Sequence, residues 1–196
     1  LKCIEHTQWY FQEEHQEANK MIETADILLT TSKTRLGRII IWILRIFQSD
    51  PVFFNHCILA ANNKFGIEAA TSGIQYCDMR KKMEAAKAYK LIRCKCITDA
   101  KKENIVKSTR KLVGLPYGFR RLGLQLLDQM FSTDFFTRKL GDNRCQVCSS
   151  LIAWAYYVRC RVRFNGVNWQ SCEPDDVDDE VLKNPDIWEV VAEKRG

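Results

Sequence analysis

The sequence predicts an α+β fold in which an antiparallel sheet packs against helices, on three observations. Strand-like segments follow one another closely between residues 53 and 77, broken only by Asn62-Asn63-Lys64 and Thr71-Ser72-Gly73; such spacing describes a meander rather than a parallel βαβ unit. Residues 148–160 (CSSLIAWAYYVRC) form a run too apolar for a surface helix, which places a helix at the centre. Helix-forming stretches lie at both ends of the strand series. At 196 residues, 46% of them hydrophobic, the chain has the material for one well-buried domain and too little for two enzyme domains.

Taken in order, Glu5 to Thr24 is rich in helix formers with scattered apolar positions, so 1–24 reads as an N-terminal helical segment and 25–196 as the domain proper. Ala25 to Thr30 is a short strand. Residues 34–47 (TRLGRIIIWILRIF) form a core-packed helix, ended by Ser49-Asp50-Pro51. The meander comprises 53–60, 65–70 and 74–77. Met79 to Ala85 is a short helix or a turn, and 89–97 (YKLIRCKCI) is the clearest strand. Helices follow at 101–113 and 119–131, separated by Gly114-Leu115-Pro116-Tyr117-Gly118. After the apolar helix comes an acidic loop, 173–180 (EPDDVDDE), and 187–192 is a last strand.

Charge and composition exclude several classes. The longest lipid-like stretch, 39–47, is nine residues and contains Arg45, so no transmembrane helix is expected. Thirty Lys and Arg against 24 Asp and Glu give a net charge of +6. Between Arg80 and Arg121 there are 14 basic residues and three acids, a stretch suited to an anionic surface or nucleic acid. Solvated helix faces account for the same run more simply, and no zinc-finger spacing or aromatic RNA-binding pair accompanies it. Nine cysteines, an odd number, together with a start lacking a signal-peptide core, predict free thiols and a cytoplasmic location. Leu1 leaves room for an upstream segment. Cys94-x-Cys96 with Cys145-x-x-Cys148 makes a zinc site conceivable, and Cys145-x-x-Cys148 alone a dithiol pair. Strand alternation, with both Cys94 and Cys96 on one face, is the simpler account of the first pair. No cofactor or metal is expected.

One constellation carries chemistry. His6 and His15 lie in the polar N-terminal segment, whereas His56 sits inside a strand, with alternation aligning it with Phe54 and Ile58. Glu68 lies twelve residues on, between Ile67 and Ala69, where an unpaired carboxylate would be costly. Adjacent strands bring the two side by side, and the carboxylate then fixes the imidazole tautomer and leaves the other nitrogen as a base. Cys148 opens the apolar helix, where the unpaired N–H groups of the first turn lower a thiol pKa and offer donors to an oxyanion. A Cys148–His56–Glu68 triad follows, with Cys145 a competing nucleophile.

These residues, in this order, resemble the circularly permuted papain-like hydrolases of the NlpC/P60 superfamily, in particular the YiiX/YebB-like branch. The similar segments are Ala25-Asp26-Ile27-Leu28 (where the branch has Gly-Asp-Ile), the His56 strand, Glu68 in the next strand, Gly114-Leu115-Pro116-Tyr117, Cys148-Ser149-Ser150-Leu151-Ile152, and Pro174-Asp175-Asp176-Val177. Ala25 replaces the usual glycine, and Ser150 stands where the branch often has glutamate. The resemblance implies attack of a thiolate on an acyl carbon and an acyl-enzyme on Cys148, with His56 as base and acid and Glu68 orienting it. The substrate would be a peptide, an isopeptide or an acyl lipid. An amidase or peptidase is the leading expectation. A lipid acyltransferase or thioesterase with the same triad, and a non-enzymatic basic adaptor or nucleic-acid-binding module using 80–121, are the alternatives. Oligomeric state is not legible.

Overall fold

The computed structural model describes residues 21–31, 54–131, 133–139 and 146–195. Most of the expected N-terminal helix, the 34–47 helix, His6, His15, Cys3 and Cys145 lie outside the described residues.

Six strands form one sheet in the order β4-β3-β2-β1-β5-β6, with every neighbouring pair antiparallel. They are β1 (Ile27–Thr30), β2 (His56–Ala60), β3 (Phe65–Ala70), β4 (Gly73–Asp78), β5 (Tyr89–Cys94) and β6 (Trp188–Lys194). The helices are α1 (Met79–Ala85), α2 (Asp99–Arg110), α3 (Phe119–Met130), α4 (Phe135–Lys139), α5 (Cys148–Cys160) and α6 (Pro174–Lys183). The fold is α+β, as the sequence predicts.

Alternation divides the strand residues between two cores. Ile27, Leu29, Cys57, Leu59 and Ile67 face the larger one, which takes in Cys148, Leu151, Ile152 and Tyr156 of α5 and Ile105 and Val106 of α2. Leu28, Ile58, Ala60 and Leu91 point the other way, against Met79 and Met83 of α1 and against Ile22. With both faces covered, β1 is buried at every position, which explains its uninterrupted apolar reading.

Three expectations need correction. Residues 173–180 are not an acidic loop but enter α6. Pro174 takes the first helical turn, Glu173 and Asp176 close a capping box, and Val177 and Val181 bury one face at i, i+4 spacing. Asp176 accepts from the Glu173 N–H at 2.9 Å, so an acid favours the helix start at that position. Strand β5 ends at Cys94; Cys94 is buried while Cys96 lies in an exposed turn, so the two thiols do not share a strand face. Phe54 precedes β2 and packs in the larger core, opposite to Ile58.

Candidate functional site

The site lies where β2 and β3 meet the start of α5. Glu68 pairs with Ile58 in the β2–β3 register, so it shares a sheet face with Ile58 and sits diagonally across from His56. His56 Nε2 is 2.8 Å from Glu68 Oε2, which leaves Nδ1 as the free ring nitrogen. The Glu68 carboxylate is 1% exposed and has two further donors: Gln75 Nε2 at 3.2 Å from β4, and Lys82 Nζ at 2.7 Å from α1. Three donors satisfy a charge that would be untenable unpaired.

Cys148 is the first residue of α5 and is 7% exposed. Hydroxyls of the next two residues hold that turn in place. Ser149 Oγ donates to the Cys172 carbonyl at 2.7 Å. Ser150 Oγ donates to Gln146 Oε1 at 2.8 Å and accepts from Val147 N–H at 3.1 Å. Gln146 in turn pairs with Tyr117 in a short parallel bridge, and Gly118 N–H donates to the Gln146 carbonyl at 2.9 Å. The segment Gly114–Tyr117 is thereby held beside the first turn of α5. Its other anchor is β4, where Ile74 N–H donates to the Leu115 carbonyl at 2.9 Å.

The Cys148 thiol lies within electrostatic reach of the His56 imidazole and of the thiol and backbone N–H of Cys57. The Cys57 contacts, followed by His56, hold the Cys148 pKa well below the ordinary thiol range, against the opposing effect of burial. Burial would push the imidazole down, but Cys148 and Glu68 outweigh it and raise His56 to about 9. Burial likewise raises Glu68, yet His56 and Lys82 bring it down to about 2. The three shifts run in the direction that favours thiolate, imidazolium and carboxylate together.

Next to the sulfur is a narrow pocket of about 40 Å³ with a mostly apolar lining that includes Tyr117, Leu122, Leu126, Val147 and Pro174. Burial and then the charge on Cys148 push the Tyr117 phenol up, so it stays a neutral donor. Among the described residues no group of three or more His, Cys, Asp or Glu side chains is arranged to hold a metal ion. The zinc and dithiol pairings need Cys145, which lies outside the described residues. Lys82, Gln75 and Cys57 carry no signal in the sequence that marks them for this site. Nothing in the spacing of Lys82 sets it apart, and Cys57 reads as one more core thiol.

No family model and no curated protein matches the chain. Among solved structures it is similar to the YiiX protein of Escherichia coli O157:H7, described as a metalloprotein of DUF1105. The TM-score is 0.62 and the identity 13%, over 90% of this chain and 99% of that one. The likeness is one of fold, to the YiiX-like branch. No helix among the described residues is long and apolar enough to cross a membrane.

Proposed function

We propose that the protein is a thiol-dependent hydrolase of the permuted papain-like kind, cleaving an amide or peptide bond through an acyl-enzyme on Cys148. The observation that carries this is His56, its Nε2 held 2.8 Å from a buried carboxylate and its charge coupled to the Cys148 thiol at the start of α5. The thiolate attacks the substrate carbonyl carbon, and the N–H groups opening α5 stabilise the oxyanion. Collapse breaks the C–N bond as the His56 imidazolium gives its proton to the leaving amine. Water then attacks the thioester, His56 takes the water's proton, and the thiolate departs. Glu68 acts through His56, fixing its orientation and stabilising its charged form. All seven described cysteines are free thiols, which suits a reducing, cytoplasm-like compartment.

The basic-adaptor alternative is the weaker one because four of the cations of the 80–121 run are paired with acids inside the fold. Lys82 is spent on Glu68, Lys90 on Asp178, Arg93 on Asp26 and Glu23, and Lys102 on Glu23 and Asp99. A lipid-directed variant of the same chemistry is favoured by the apolar lining of the pocket at Cys148.

Brief alkylation with dilute iodoacetamide, followed by peptide mapping, tests the reading. Cys148 is expected to label first and well below the ordinary thiol pKa of about 8.5. His56→Ala is expected to slow that labelling. Labelling of Cys148 no faster than that of the other cysteines would overturn the proposal.

A further inference from the structure

Helix α3 carries its polar and apolar residues in the reverse of the usual order. Its inward side chains are Arg121, Gln125 and Asp128, at 0%, 6% and 4% exposure. The Arg121 guanidinium stacks 5.2 Å from the Trp169 ring centre, and Gln125 Nε2 donates to the carbonyls of Gln170 and Cys172. Asp128 accepts from the N–H groups of Phe136 and Thr137 and from the Thr137 hydroxyl, which ties α4 to α3. Outward, Phe119, Leu127 and Met130 are 55%, 37% and 52% exposed, at spacings that align them along one face. Phe131 and Phe135, at 65% and 51%, extend this face, both packed on Phe136.

A polar inside and an apolar outside are what a helix acquires when its outer face meets something other than water. The stripe is roughly 18 Å long on helix rise alone. Cations flank it: Arg120, Arg138 and Lys139 are exposed, the last with its ammonium 4.2 Å from the Phe135 ring centre. Among the described residues on and between these two helices the only exposed acid is Asp134, and it is paired with Arg138 at 3.5 Å. An apolar stripe with a basic rim matches an anionic bilayer surface rather than a second protein of mixed charge. The same helix also faces the nucleophile, since Leu122 and Leu126, one turn apart, line the pocket at Cys148.

We propose that α3 and α4 are the face by which the protein lies on an anionic membrane, and that its substrate is a long-chain acyl ester of that membrane, drawn along Leu122 and Leu126 to Cys148. This rests on the thiol-hydrolase reading above and takes its lipid-directed form, with an ester C–O bond in place of the amide C–N bond. The thiolate bonds to the ester carbonyl carbon, the C–O bond breaks, and the His56 imidazolium protonates the departing alkoxide. Water then releases the fatty acid, giving one proton to His56 as the thiolate leaves.

The test uses the full chain with equimolar dioleoylphosphatidylcholine and dioleoylphosphatidylglycerol vesicles, and with vesicles of the phosphatidylcholine alone. Co-sedimentation with the mixed vesicles is expected, falling about tenfold on the neutral ones and about tenfold in a combined Phe119→Gln, Met130→Gln, Phe131→Gln variant. Far-ultraviolet circular dichroism and fast Cys148 labelling should be unchanged in that variant, which separates docking from folding. Oleate release from the mixed vesicles is expected, and is lost in Cys148→Ala. Absent vesicle binding with fast Cys148 labelling intact overturns the membrane face and leaves the hydrolase standing. Binding that survives the triple change overturns its placement on α3 and α4, as does a dimer that the triple change dissociates. Vesicle binding and fast labelling without oleate release overturn the ester substrate alone. Slow Cys148 labelling overturns the hydrolase reading itself, whatever the vesicles show.

Discussion

Glu68 serves two cations, the His56 imidazolium and the Lys82 ammonium, and the second tempers the first. Lys82 repels a charge on His56 and draws on the carboxylate that would otherwise serve the imidazole alone. In Lys82→Met the His56 pKa is therefore expected to rise above about 9 and that of Glu68 to rise from about 2. A His56 titration by NMR, or the alkaline limb of the proposed hydrolase rate, checks this. If Lys82 only braced the structure, stability would fall with no movement of that limb. The shifts also set a pH window for stability. Glu68 is depressed from 4.5, so its contribution is complete above that value and is lost as pH falls toward 2. His56 is raised from 6.5, so its contribution is complete below 6.5 and is lost as pH rises through 9. The melting temperature of the parent, compared with His56→Ala across this range, should lose its alkaline decline in the variant.

At the scale of elements, the entry into β1 is strained and clamped. Ala25 has φ = 67°, the left-handed region where its Cβ is disfavoured, and this is the position at which the resembled branch has glycine. Three contacts hold it there: its N–H donates to the Ala60 carbonyl at 2.9 Å, its carbonyl accepts from the Tyr156 hydroxyl, and its side chain is buried. Ala25→Gly relieves the strain at some cost in unfolded-chain entropy, so a net gain of up to about 1 kcal/mol is expected in chemical denaturation. Asp26, the next residue, accepts from Glu23 N–H and from two nitrogens of Arg93, tying the start of β1 to β5. Asp26→Ala leaves Arg93 partly buried without that partner and should cost roughly 3 kcal/mol in the same measurement.

The elements also show what sequence can carry. The meander is legible because strand alternation, Asn62-Asn63 and Ser72-Gly73 all report local geometry. The 148–160 helix is legible because thirteen residues apolar on nearly every face suit only a helix enclosed by the core. His56 and Glu68 can be paired because a short turn leaves two strands little choice of neighbour. Helix α6 is hidden by its own charge: six acids in eight residues read as a solvated loop, and the two valines that anchor it are outnumbered. Lys82 is hidden for a different reason. Its meeting with Glu68 depends on how α1 docks beneath the sheet, a tertiary fact with no sequence period.

Over the whole molecule, the site is assembled from both layers on either side of the sheet, and one glycine joins a sheet edge to it. Gly73, at φ = 119°, starts β4, and a Cβ there would stand 2.7 Å from the Leu115 carbonyl. Gly73→Ala is expected to cost roughly 2–4 kcal/mol from backbone strain and overlap. Because Leu115 leads directly to Tyr117 at the pocket, the variant should also slow Cys148 alkylation, which a melt and a labelling time course would register together.

The order of the strands carries a consequence for how the molecule comes into being. His56 and Glu68 sit on neighbouring strands twelve residues apart, whereas β1 must find β5 with Ile27 against Ile92, and β5 must find β6 with Cys94 against Trp188. Short loops close at small entropic cost and long ones do not, so His56 and Glu68 belong to the part of the chain that organises first. The Cys148 thiol arrives on α5 from eighty residues beyond Glu68. In refolding sampled by pulses of alkylating reagent, hydrogen-exchange protection in β2 and β3 should therefore precede the rise of a hyper-reactive Cys148. On the proposed reading, a nascent or partly unfolded chain holds an ordinary cysteine, and its reactivity switches on only when the last long-range contacts close.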